Sequence, residues 1–267
     1  MKTPLTYYGG KQQLSATILK LIPKHKIYVE PFIGGAAVYF AKEPSESEII
    51  NDTNGELINF YEILKRDFSA LRQEVEISLH SRKLHHQAEV VYANPDMFSK
   101  TKRAWAVWVL ANSSYGAKLD GSFGFDRKGS ISKRLNHKRD SFDVDYAIRL
   151  QNTTIECCDA LRIIRTYNTE NTFFYCDPPY AGSDQGHYDG YTQEDFERLL
   201  DMLSKVEGKF LLSSYRNTSL TEYINKHKWE SVEISMNLSM ASKFKKNKKK
   251  VEVLTANYPI IDKLKAD

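Results

Sequence analysis

The chain predicts an α/β protein: an open, mostly parallel sheet whose alternation of strands and helices is interrupted by a mainly helical, basic insertion. Three observations predict it. Residues 28–52 read as strand, glycine turn, helix and strand, with an acidic residue at or near each strand end. The same alternation resumes at Thr153. Between them lies a stretch of helical periodicity followed by a polar, glycine-rich, basic segment that fits neither pattern.

Element by element, Thr6-Tyr7-Tyr8-Gly9-Gly10-Lys11 is turn-like, and Leu14, Ile18, Leu21 and Ile22 mark a helix that Pro23 ends. Tyr28 to Phe32 reads as a strand, Ile33 to Phe40 as a glycine turn opening a helix, and Glu48 to Asp52 as a second strand. Leu57 to Leu79 carries helical spacing, as does Phe98 to Asn112, which is rich in aromatic residues. The basic segment from Ser113 to Asp143 follows. Strands are then expected at Thr153 to Glu156, Thr172 to Cys176 and Phe210 to Ser214, with helices at Ala160 to Tyr167, Gln193 to Leu203 and Leu220 to His227. Thr192 and Asp195 form a capping-box pattern at the head of the second of these helices. Trp229 to Ile234 and Val251 to Tyr258 predict a late hairpin.

The 267 residues suffice for one large domain or a domain with an inserted lobe, and 41% hydrophobic residues support a sizeable core. No apolar run approaches the roughly 20 residues that span a bilayer, and the first residues lack a signal-peptide core, so a cytoplasmic protein is expected. Cys157, Cys158 and Cys176 lack metal-ligand spacing, and the seven histidines form no ligand-spaced set; no metal is predicted. The net charge of +4 is concentrated locally: residues 243–250 hold six lysines, among them Lys245, Lys246 and Lys248. Such a run is either a solvated loop or a phosphate-binding patch.

The most informative residues are Asp177-Pro178-Pro179-Tyr180, directly after the apolar run Thr172 to Cys176. An acid at the end of a buried strand projects into the crevice where open α/β sheets bind ligands. The prolines stiffen the backbone and, lacking N–H groups, leave nearby carbonyls free as acceptors. A carboxylate, a carbonyl and a flat ring together suit a planar group bearing an amine.

With this tetrapeptide in register stand Tyr8-Gly9-Gly10-Lys11, Glu30-Pro31-Phe32-Ile33-Gly34-Gly35, Asp52, Asp159 and Ser213-Ser214. In this order they resemble the Dam-type (D12 class, alpha group) DNA adenine N6-methyltransferases. The resemblance implies a Rossmann-like sheet that binds S-adenosyl-L-methionine (AdoMet), formed by residues 1–56 and 153–267. It implies a DNA target-recognition lobe at residues 57–152, carrying a basic hairpin arm. Ala36 departs from the commonest pattern, which has a further glycine there.

The resemblance also implies roles. Asp177, Pro178, Pro179 and Tyr180 would be catalytic: Asp177 and the Pro178 carbonyl would accept the hydrogens of the target amine, and Tyr180 would stack on the flipped base. Tyr8, Gly10, Lys11, Glu30, Phe32, Gly34, Gly35, Asp52, Asp159 and Asp177 would line the cofactor pocket. Lys11 would face the methionine carboxylate, Asp52 the ribose hydroxyls and Asp159 the adenine amine. Plain alternatives stand beside these: helix N-caps for Asp52 and Asp159, tight packing for the glycines, a surface lysine for Lys11. Glu30 has two candidate jobs, bracing the glycine loop or meeting the cofactor's amino group.

DNA contacts would come from Tyr115, Lys118, Arg127, Lys128, Arg134, Lys138 and Arg139 on the arm, and from Lys245, Lys246 and Lys248. Each of these charges, taken singly, also reads as a solvated surface group. Tyr115, Phe123 and Phe125 either wedge into the base stack or pack the arm. Residues 182–191 are expected to form a lid over the flipped base. The expected partner is double-stranded DNA and the expected state a monomer. A cognate restriction enzyme is left open, as are amino-cytosine or RNA substrates and a catalytically silent DNA-binding relative.

Overall fold

The computed structural model of the chain describes residues 1–180, 191–236 and 250–265. The segment expected to act as a lid, up to residue 190, and the lysine run through residue 249 lie outside the described residues.

Seven strands form one sheet: β1 (Ile27–Glu30), β2 (Ser47–Asn51), β3 (Thr153–Glu156), β4 (Thr172–Cys176), β5 (Lys209–Ser214), β6 (Glu230–Met236) and β7 (Lys250–Ala256), in the order β3-β2-β1-β4-β5-β7-β6. The first five are parallel, and β7 runs antiparallel to both β5 and β6. The strands predicted from sequence are all present, the late hairpin included. The central strand β4 is buried along its whole length, as its unbroken apolar run requires. Its Phe173 and Tyr175 join one core cluster, while Phe174 and Cys176 join the other.

The helices are α1 (Ser15–Leu21), α2 (Ala37–Ala41), α3 (Gly55–Arg66), α4 (Phe68–Glu76), α5 (Arg82–Ala93), α6 (Lys100–Ser113), α7 (Ser130–Asp140), α8 (Asp145–Leu150), α9 (Ala160–Thr166), α10 (Gln193–Leu203), α11 (Thr218–His227) and α12 (Ile261–Lys265). On one sheet face, α1 and α2 share a core with the six helices α3–α8 inserted between β2 and β3. On the other face pack α9, α10 and α11. Beyond its charged first turn helix α6 is buried on every side, from Ala104 through Ser113, which makes it the axis of the inserted bundle. No helix among the described residues is long and apolar enough to cross a membrane.

Three elements differ from the sequence reading. The helix expected over Leu57–Leu79 is two helices, because Asp67 leaves helical geometry (φ −143°) and its side chain caps α4 by accepting from Ala70 N at 3.4 Å. Helix α5 was not predicted; its apolar stripe is sparse, and packing of His85, Ala88 and Val91 into the bundle compensates. The basic arm is hairpin-like only between Ser114 and Phe123, joined by one antiparallel bridge. Its second half is α7, which Asp126 starts by accepting from Lys128 N, Ser130 N and Ile131 N at 2.8–3.0 Å.

The connection from β1 leads to β2 on one side, and the connection from β4 leads to β5 on the other. Ligands of open α/β sheets bind where the strand order reverses in this way. Glu30 ends β1 and Asp177 follows β4, so two acids flank that crevice.

Candidate active site

The chain enters the crevice twice more. The turn at residues 9–11 brings Lys11 to Asp177, and strand β7 brings Glu252 to Lys11. Lys11, only 5% exposed, places Nζ 2.6 and 2.8 Å from the two Asp177 carboxylate oxygens, 3.0 Å from the Gly9 carbonyl and 3.4 Å from Glu252 Oε1. Lys11, read from sequence as the partner of a cofactor carboxylate, is thus seated on two of the protein's own acids: its charge meets Asp177 and Glu252.

Tyr180 is buried. Its ring lies 4.2 Å from that of Tyr215, tilted by 48°, and Lys11 Nζ stands 5.2 Å from its centroid. Its hydroxyl donates to Glu252 Oε1 and lies 3.4 Å from Asp177 Oδ1. Ser213 Oγ donates to the same Glu252 oxygen at 2.7 Å. Glu252 and Tyr215 escaped the sequence reading. An acid between Val251 and Val253 inside a predicted strand was the available signal for the first, and an aromatic residue directly after Ser213-Ser214 for the second.

Glu30 is buried and accepts a hydrogen bond from Tyr28 Oη at 2.7 Å. Burial, reinforced by the nearby Asp177 charge and opposed by the Tyr28 bond, pushes its carboxyl up to about 8. At neutral pH it therefore carries a proton. Burial also raises the Tyr28, Tyr175 and Tyr180 phenols well above their ordinary range, so all three stay neutral.

The glycine turn is built on Tyr7. A Cβ on Gly35 would stand 2.6 Å from Tyr7 Cβ, and one on Gly34 3.3 Å from the Tyr7 ring. Gly34 has φ +45°, and Ala36 occupies the left-handed region at φ 55° as the N-cap of α2. The glycine preferred at that position in the resembled family has a conformational reason. Asp52, buried after β2, accepts from Gly34 N and Asn54 N, both at 3.0 Å. It braces the glycine turn, and the N-cap of α3 is its neighbour Asn54. Asp159 caps α9, accepting from Leu161 N at 2.9 Å and Arg162 N at 3.2 Å, and is exposed at the mouth of the crevice. Phe32 meets Tyr191 edge to face at 6.4 Å.

Tyr8 and Gly10 have local duties. Tyr8 N donates to Ala117 O at 3.2 Å, and Lys118 Nζ lies 5.1 Å from its ring. Gly10 N donates to Tyr7 O at 3.0 Å, closing the turn that presents Lys11.

The arm residues separate into two groups. Arg127, Lys128 and Arg134 are exposed, as are Tyr115 and Phe125 at 65% each. Phe123 instead packs the arm, stacked on His80 at 4.6 Å with Arg82 on it at 5.0 Å. Lys138 and Arg139 turn toward the protein: Lys138 Nζ donates to the Thr3 carbonyl and Arg139 Nη1 to Ser78 O at 3.2 Å. The last turn of α7 packs against the N-terminal segment and the end of α4, which offer carbonyls in place of solvent. Burial lowers the Lys138 ammonium to about 8.

The family model of the D12 class N6 adenine-specific DNA methyltransferases matches residues 7–240. The chain is 28% identical to Type II methyltransferase M.MjaIII of Methanocaldococcus jannaschii over 81% of this chain and 85% of that protein. It is 27% identical to Type II methyltransferase M1.LlaDCHI of Lactococcus lactis subsp. cremoris, over 94% and 93%. It is 24% identical to a DNA adenine methylase of Haemophilus influenzae, over 88% and 87%.

Proposed function

The chain belongs to the D12 class of N6 adenine-specific DNA methyltransferases, and from that premise we propose that it binds AdoMet at the β1–β4 crevice and methylates a flipped adenine of duplex DNA held against Asp177. The observation that carries this reading is the place of Asp177 after β4, at the reversal of strand order, with Tyr180 and the glycine turn beside it.

The residues fit the cofactor. A braced glycine turn, the acids Asp177 and Asp159, the protonated carboxyl of Glu30 and the aromatic pair Phe32–Tyr191 suit a ligand with a cationic centre, an amine and a flat base. When bound, AdoMet supplies an electrophilic methyl on its sulfonium, open to direct attack by the adenine amino nitrogen without an enzyme nucleophile. Asp177 and the Pro178 carbonyl accept the amino hydrogens, which turns the nitrogen lone pair out of the ring plane. As the nitrogen gains carbon and becomes cationic, Asp177 stabilises it and stands within reach of the departing proton. Holding both reactants aligned is worth roughly 7–11 kcal/mol. The target base leaves the stack at a cost of a few kcal/mol, and the face of Tyr180 is its stacking partner.

Residues 57–152 serve as the target-recognition lobe. Exposed Tyr115, Arg127, Lys128 and Arg134 give it an aromatic and basic face for phosphates and base edges. The chain works in the cytoplasm as a monomer, treating one strand at a time, with a cognate restriction enzyme as an optional companion.

The test is transfer of labelled methyl from AdoMet to unmethylated genomic DNA, followed by nucleoside analysis. Label in N6-methyladenine at one short recurring sequence is expected. Label in cytosine, or in RNA alone, would overturn the reading.

A further inference from the structure

We propose that Glu252 is a positioning residue for methyl transfer: from β7 it fixes the hydroxyl end of Tyr180 and shares the charge of Lys11, so that Asp177 keeps its negative charge for the reacting amine. The inference rests on the roles given to Asp177 and Tyr180 above.

Glu252 is fully buried, in a strand whose neighbouring residues Val253, Leu254 and Ala256 are all core. An ionised carboxylate in such a place costs several kcal/mol unless cations and donors meet it. A valine or leucine there would serve the fold as well or better. Three groups of the crevice meet Glu252: the Tyr180 hydroxyl, Ser213 Oγ at 2.7 Å and Lys11 Nζ at 3.4 Å. The residue thus sits where its charge serves the site.

Two consequences follow from this geometry. A phenol ring has two rotatable bonds; contact with Tyr215 restrains the plane of the Tyr180 ring, and the bond to Glu252 pins its far end. A stacking partner restrained at both points offers the base one fixed face. The second consequence is electrostatic. Lys11 touches Asp177 and Glu252, so this trio holds one cation and two anions. Glu30, the acid that ends β1, is protonated at neutral pH and adds no charge. The site is left one charge negative, which suits a nitrogen turning cationic. Without the Glu252 charge, Lys11 would cancel Asp177.

The experiment compares full-length wild type, Glu252→Gln, Tyr180→Phe and the double variant in steady-state methyl transfer to DNA bearing the enzyme's own site. Glu252→Gln is expected to lower kcat by about 10²-fold and to leave KM for AdoMet within about threefold and the melting temperature near the wild-type value. In the Tyr180→Phe background the same change should cost less, because the part of its effect that acts through the hydroxyl is already lost and only the charge effect on Lys11 remains. Glu252→Asp should recover part of the rate by restoring the charge. A kcat within twofold of wild type, or equal losses in both backgrounds, would overturn the proposal. Should Glu252→Gln fail to fold, Ser213→Ala takes its place: a several-fold fall in kcat at unchanged KM supports the role, and an unchanged kcat overturns it. A wild type that methylates no DNA would instead defeat the functional reading, and the two failures are distinguishable.

Discussion

Lys11 and Asp177 stand 166 residues apart in the chain, and Lys11 Nζ meets both oxygens of the Asp177 carboxylate, at 2.6 and 2.8 Å. The N-terminal turn and the end of β4 are locked together by this pair. The same turn touches the inserted lobe, since Thr6 N and Oγ1 both donate to Asn112 Oδ1 at 3.0 and 2.9 Å. A short N-terminal segment thus joins helix α6 of the inserted bundle to Asp177.

Asp177→Ala should reduce methyl transfer by at least about 10³-fold, far more than it weakens AdoMet binding. Equilibrium titration with labelled AdoMet alongside the rate assay checks both halves. Retained transfer would remove Asp177 from the chemistry.

Lys11→Met leaves the buried Glu252 and the half-buried Asp177 without their shared cation. Breaking a buried pair in this way costs about 3–5 kcal/mol. The loss should show as a lowered urea midpoint, along with a fall in kcat as Asp177 loses its alignment. An unchanged midpoint would mean that the pair contributes nothing to the fold.

Glu30 makes stability depend on pH. The unfolded chain loses this proton near pH 4.5 and the folded protein keeps it to about 8. Between those values the folded state binds more protons, so the contribution of this group to stability falls as pH rises through the window and levels off above it. Glu30→Gln, which keeps an acceptor for Tyr28 Oη, should gain up to a few kcal/mol relative to wild type at pH 8 and little at pH 4.5. Denaturation curves at the two pH values measure the difference; equal gains at both would refute the assignment.

The glycine turn offers a paired test of conformation and space. Ala36→Gly relieves a left-handed residue at φ 55° and should stabilise by about 0.5–1 kcal/mol after the added chain entropy. Gly35→Ala places a methyl 2.6 Å from Tyr7 Cβ. It should cost about 1–3 kcal/mol and raise KM for AdoMet as the turn shifts. Thermal melts and cofactor titration read these opposite signs.

Salt dependence of DNA binding separates the two groups of arm cations. Arg127→Ala and Lys128→Ala should each lower the slope of log K against log salt by about 0.9. Lys138→Ala, whose ammonium is held by the Thr3 carbonyl, should leave the slope unchanged and lower the melting temperature instead. A slope change for Lys138→Ala would put its charge on the phosphates.

The sequence by itself determined the elements and their order. The five residues of β4 are an unbroken apolar run, the capping box of Thr192 and Asp195 marks the head of α10, and the glycines after β1 mark a turn. These are contacts between near neighbours, and a chain displays them directly. Position relative to a strand end is equally local, which is why Asp177 was legible as a crevice residue. Tertiary structure alone decided which charges meet. It brought Lys11 to Asp177 and Glu252 to Lys11, set Asp52 against the glycine turn, folded Lys138 and Arg139 inward and made α5 from a weak pattern. Ion pairing and burial depend on residues far apart in sequence, through a dielectric that exists only once the core has closed.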